Sequence, residues 1–118
     1  MARILVAEDE MLVAMLIEDM LGDLGHDVVG PAMRLETALA AAESEDLDFA
    51  ILDINLAGKQ SFPVADRLVR RGIPFMFASG YGAAGLVDPY RQAPVLQKPF
   101  DVARIAAVIE GTLARRNG

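Results

Sequence analysis

Arg3-Ile4-Leu5-Val6-Ala7, followed at once by Glu8-Asp9-Glu10, is the stretch that decides the fold of this chain. An apolar run of strand length with no alternating polar residue suits a strand covered on both faces. Its form recurs. Phe49-Ala50-Ile51-Leu52 runs into Asp53, Phe75-Met76-Phe77-Ala78 into Ser79, and the short Val95-Leu96-Gln97 into Lys98. Asp27 to Gly30 supplies one more short strand, the second in chain order.

Helix-like segments separate these runs. Val13, Leu16, Ile17, Met20 and Leu24 follow the spacing of a helix face, which Gly25-His26 ends. Leu35 to Glu45 is Ala-rich, with Leu35, Ala38, Leu39 and Ala42 on one side. Pro63 to Arg71 is a third helix, stopped by Gly72 and Pro74. Asp101 can cap a last helix whose face is Val102, Ile105, Ala106, Ile109 and Leu113. Strands alternating with helices predict βαβ units, right-handed crossovers and an α/β fold. Its core would be a doubly wound, five-stranded parallel sheet. Ligands of such sheets bind beyond the carboxyl ends of the strands.

The strand ends therefore carry the chemistry. Glu8, Asp9 and Glu10 follow the first strand, Asp53 ends the third, Ser79 the fourth, and Lys98 follows the fifth. Each alone has an ordinary reading: acids in a first helical turn, a strand-to-loop exit, a loop serine, a surface lysine. Together and in order they describe one rim. Carboxylates converging there need a cation, and hard oxygen ligands favour Mg²⁺ or Ca²⁺ over zinc. A site with few protein ligands and room for water and phosphate suits Mg²⁺. An Asp can attack a phosphoryl group and form an acyl phosphate, a transfer that rests on positioning and charge neutralisation. Lys98 and the Ser79 hydroxyl could serve the phosphoryl oxygens.

Composition sets the remaining bounds. The chain has 118 residues, 53% of them hydrophobic, so one domain over 1–118 with no output domain is expected. It has no cysteine, which excludes thiolate metal sites and cysteine nucleophiles and fits a cytoplasmic protein. The formal net charge is −6, and Arg70-Arg71 and Arg115-Arg116 read as solvated helix ends, so no nucleic-acid partner is expected. No apolar stretch is long enough to span a bilayer. His26, the one histidine, reads as a surface turn residue. Met11, Met15 and Met20 read as core or rim packing of the first helix. No phosphate-binding loop of the Gly-Lys-Ser/Thr type is present.

With these residues in place, the sequence resembles the receiver domain of bacterial two-component response regulators. The resemblance rests on ILVAEDE (4–10), ILDINLAG (51–58), FMFASGYG (75–82) and LQKPF (96–100), and covers Ala2 to about Arg115. It implies a flavodoxin/receiver-like (βα)5 fold with strand order 2-1-3-4-5. Asp53 would be the phosphorylated aspartate. Glu8 and Asp9 would hold Mg²⁺ together with Asp53 and the backbone carbonyl of Asn55. Ser79 would report phosphorylation, and Lys98 would contact the phosphoryl group before a cis bond to Pro99. The donor would be a histidine kinase or a phosphotransfer protein, and the output a downstream protein or the draining of phosphate from a kinase. Many receivers carry an aromatic switch three positions before the lysine; here that position is Val95. FASGYG is similar to the FAT GUY subgroup, which includes stand-alone receivers and is often associated with HWE-type kinases. Ser79 there replaces a Thr and keeps the hydroxyl.

Gly80, Gly82, Gly85 and Pro89 predict a short, marginal fourth helix, and Tyr81 is a candidate for covering the site. A Mg²⁺-dependent phosphatase of the haloacid dehalogenase type would want Asp-x-Asp, where this chain has Asn55. A flavodoxin-like nucleotide binder would want a glycine-rich loop where Glu8-Asp9-Glu10 stands. A receiver cut from a longer regulator would read the same.

Overall fold

The computed structural model describes residues 2–80, 85–97 and 102–117. In chain order its elements are β1 (Arg3–Ala7), α1 (Met11–Asp23), β2 (Asp27–Ala32), α2 (Leu35–Ser44), β3 (Phe49–Asp53), β4 (Asn55–Leu56), β5 (Lys59–Gln60), α3 (Phe62–Arg71), β6 (Phe75–Ser79), β7 (Val95–Gln97) and α4 (Val102–Asn117). The main sheet has the order β2-β1-β3-β6-β7, and every neighbouring pair is parallel. Counted along the main sheet alone, this is the expected 2-1-3-4-5.

Side chains of the strands alternate between two core layers, as the period of two requires. Leu5, Ala7, Ala50, Leu52 and Phe77 face the layer that includes Ala38 and Ala42 of α2 and Val64 and Leu68 of α3. Ile4, Val6, Phe49, Ile51, Met76 and Ala78 face the layer of Ile17, Met20 and Leu21 of α1 and Ile105 and Ile109 of α4. With both faces covered, a strand must be apolar throughout. That is why the runs read from the sequence are uninterrupted.

The register levels the strand ends. Ala7 pairs with Leu52 and Leu52 with Phe77, so Glu8, Asp53 and Ala78 come next along their three chains. Ser79 pairs with Gln97, the residue before Lys98.

Several expectations need correction. β2 runs two residues past Gly30, to Ala32. It is an edge strand, where Pro31 is tolerated, and its register to β1 is irregular between Leu5 and Ala7. Gly30 has φ of 103°, and a Cβ there would lie 2.6 Å from the Ala32 nitrogen. No other residue fits this bend. The buried side of α1 is Ala14, Ile17, Met20 and Leu21. Leu16, expected on that face, is exposed, as are Met11 and Met15, expected to pack. The first half of α1 is apolar nearly all round, so spacing alone could not choose the face.

No α-helix forms among residues 85–94. Turns stand there instead, with Tyr90 N–H donating to Val87 C=O and Ala93 N–H to Tyr90 C=O. Two prolines, at 89 and 94, leave this stretch few helical donors. The rest of the expected fourth helix, and the Asp101 cap, lie outside the described residues. His26 is half-buried, its Nδ1 accepting from the Ala2 amide at 3.2 Å. No helix among the described residues is long and apolar enough to cross a membrane.

Candidate functional site

At the carboxyl rim of the sheet lies an open cavity of about 1040 Å³. Asp9, Asp53, Asn55 and Ser79, all singled out in the sequence, line it. Asp53 ends β3 with its side chain almost wholly buried, and Oδ1 accepts from the Asn55 amide at 3.3 Å. Ser79 ends β6 and is also buried. Glu8 is 1% exposed; its amide continues the sheet by donating to Ala32 C=O, and its Oε2 accepts from the Glu10 amide at 3.1 Å. Asp9 is half-buried, and its Oδ2 accepts from the Ala57 amide at 2.9 Å.

Carboxylate oxygens of Glu8, Asp9 and Glu10 all lie within 4.8 Å of one another. So dense a group of negative charge, one member fully buried, is costly without a counter-charge. Its donors are all hard oxygens, which suit Mg²⁺ or Ca²⁺. The residues present therefore fit the cation expected from the sequence. Lys98, Pro99 and Tyr81 lie outside the described residues.

Sequence reasoning missed two features. The first is a hairpin. Asn55 pairs with Gln60 and Leu56 with Lys59, leaving Ala57 and Gly58 as a two-residue turn. Both have positive φ, 50° and 87°, the conformation that suits the right-handed twist of a tight hairpin. Gly58 and Gln60 line the cavity wall, and Asp9 binds the turn at Ala57. The Ala-Gly pair was a signal, but two-residue strands are too short to show any pattern.

The second is Tyr90. It is buried beside Phe62, Phe75 and Phe77, stacked on Phe62 with ring centroids 6.0 Å apart. Its hydroxyl donates to Asp66 of α3. Burial first, and then that hydrogen bond, push its phenol up to about 12. Elsewhere, Lys59 donates to Glu36 at 2.7 Å, and that hydrogen bond lowers the Glu36 carboxyl below its ordinary range.

The family profile described as "Response regulator receiver domain" matches residues 4–110, nearly the whole chain. This chain is a response regulator receiver domain. As such it belongs to the bacterial two-component signalling regulators. The receiver is 36% identical over 115 residues to the phyllosphere-induced regulator PhyR of Methylorubrum extorquens, covering 94% of this chain and 43% of that protein. The solution structure of SdrG from Sphingomonas melonis Fr1 is 41% identical and covers 97% of both chains, with a TM-score of 0.82. A BeF3-activated conformation of SdrG is 42% identical, covering 94% of this chain and 95% of that one, with a TM-score of 0.78. The receiver spans about half the length of the curated relatives it matches, 43% of PhyR and 57% of the Mycobacterium tuberculosis regulator PdtaR.

Proposed function

We propose that this receiver domain accepts a phosphoryl group on Asp53 with the help of Mg²⁺, and signals by the change in shape that follows. The observation that carries this reading is the meeting of a buried Asp53, the Glu8–Asp9–Glu10 carboxylates and the Ser79 hydroxyl at one cavity. Glu8, Asp9, Asp53 and the Asn55 carbonyl would hold the cation. It would neutralise the charge that carboxylates and phosphate bring together.

The chain's own groups do the rest. The Asn55 amide holds Oδ1 of Asp53, which orients the carboxylate. The other carboxylate oxygen attacks phosphorus as the phosphohistidine P–N bond breaks. The leaving imidazole nitrogen keeps the electron pair of that bond and takes a proton from water, and Asp53 becomes an acyl phosphate. Ser79 donates to a phosphoryl oxygen, and Lys98 supplies the remaining positive charge. Hydrolysis by water returns the carboxylate, so the protein assists its own phosphorylation and dephosphorylation without being an enzyme for another substrate. Tyr81 and Pro99 flank the site in sequence and would modulate it.

The donor class is a histidine kinase, of the HWE type if the FASGYG likeness extends to partners, or a phosphotransfer protein. The phosphorylated form would bind a downstream protein or act as a phosphate sink. Residues 1–118 form one receiver unit, working in the cytoplasm. Intact mass after incubation with acetyl phosphate and Mg²⁺ tests the reading. One added phosphate is expected, absent without Mg²⁺ and absent in Asp53→Asn. An adduct that persists in Asp53→Asn would overturn the assignment.

A further inference from the structure

We propose that Tyr90, latched to Asp66, is the aromatic positioning residue through which the phosphorylation site and the β6–β7 connection are coupled. This rests on the phosphoacceptor reading of Asp53.

Val95 of β7 pairs directly with Phe77 of β6. A valine there has no ring to rotate. Three rings pack on that Phe77: Phe62 and Phe75, each with its centroid 5.5 Å away, and Tyr90 at 5.8 Å, the one that comes from the connection. Among the described residues between the cavity and β7, two points are buried. Leu86 is 8% exposed and Tyr90 9%, while Val87, Asp88 and Pro89 between them are exposed. The chain is thus pinned at 86 and 90 and solvated between.

The pinned segment reaches the site. Gly80 and Gly85 line the cavity with Asp53. Gly85 also lies on Ile54, the residue after Asp53; a Cβ at 85 would be 3.4 Å from Ile54 Cδ1. A phosphoryl group on Asp53 needs room that these glycines border. From Gly85 the described chain runs five residues to the Tyr90 ring, which one hydrogen bond ties to Asp66. Asp66 belongs to α3, so a shift of the connection must stretch or break that bond. The latch has two discrete states, seated with its bond or displaced without it, which is what coupling between two places requires.

The test uses the whole chain labelled with 3-fluorotyrosine, since it holds two tyrosines and no tryptophan. Of the two ¹⁹F signals, the one missing from Tyr90→Phe belongs to Tyr90. Adding Mg²⁺ and fluoroberyllate should move or broaden that signal. Tyr90→Phe keeps the ring and removes the bond, as does Asp66→Asn on the other side by weakening the acceptor. Each should change the lifetime of the aspartyl phosphate by about fivefold, the worth of one hydrogen bond. A Tyr90 that is merely structural would change melting temperature and leave both readouts alone. If the wild type takes up phosphate while the Tyr90 signal and the variants' phosphate lifetimes stay put, the latch is wrong and the phosphoacceptor reading stands. If the wild type takes up no phosphate, both fall.

Discussion

The two walls of the cavity are built on different principles. One is the hairpin of Asn55 to Gln60. It is closed by backbone pairing, by a turn with two positive φ angles, by Ser61 N–H donating to Ile54 C=O, and by Asp9 on Ala57. The other is Gly80 at the end of β6 together with the described part of the connection, Gly85 to Tyr90. Leu86 and Tyr90 secure it by side-chain burial. A wall of backbone bonds resists small displacements, because every lost bond exposes a donor and an acceptor. A wall of two side-chain anchors can move by unseating one. The difference suggests that the hairpin fixes the geometry of the acids while the opposite wall responds.

The contrast can be broken from either side. Leu86→Ala should have the largest effect, a loss of about 2–4 kcal/mol in denaturant unfolding, since a buried anchor is replaced by a cavity. A loss below half of that would mean the wall does not depend on Leu86. Tyr90→Phe should cost about 1–2 kcal/mol near neutral pH, through the lost bond to a carboxylate. The Tyr90 phenol titrates higher folded than unfolded. Its contribution is therefore complete below pH 10 and lost as pH rises towards 12. Melting curves of wild type and Tyr90→Phe should converge across that window. Parallel curves would show that the phenol does not carry the difference.

On the hairpin side, Gly58→Ala should destabilise by about 1 kcal/mol, because φ of 87° strains any side chain. Ala57→Gly should stabilise by a few tenths, about 0.5 kcal/mol, by the same reasoning reversed. Ser61 gives the smallest expected effect. Its buried hydroxyl has no hydrogen-bond partner among the described residues, so Ser61→Ala should be neutral or stabilising by up to about 1 kcal/mol. A clear loss of stability would reveal a partner for that hydroxyl.

Much of this architecture was legible in the sequence for a physical reason. A strand buried on both faces must be apolar, and the polar residue that ends it must stand at the rim; Asp53 and Ser79 were found that way. Lys98 was named by the same rule, at a position outside the described residues. The outward half of α1 was not legible. Met11, Leu12, Met15 and Leu16 are apolar and between 44% and 82% exposed, so hydrophobicity pointed in every direction. The hairpin and the Tyr90 latch were hidden for another reason. Each is a contact between residues far apart in sequence or in strands too short to have a period. Asp66 and Tyr90 are 24 residues apart, and no spacing rule connects them.

The level register of β1, β3 and β6 turns the site into a matter of counting. Because Ala7, Leu52 and Phe77 share one level, each chain reaches the rim after a fixed number of residues. Deleting a single residue inside β3 would draw Asp53 back by about 3.3 Å and turn its side chain to the opposite face of the sheet. Adding residues at an exposed turn beneath the opposite edge disturbs no count. Insertions and deletions should therefore divide sharply: tolerated where the chain turns at the amino edge, and silencing anywhere within the three central strands. A reporter peptide belongs at that far edge, where length is free.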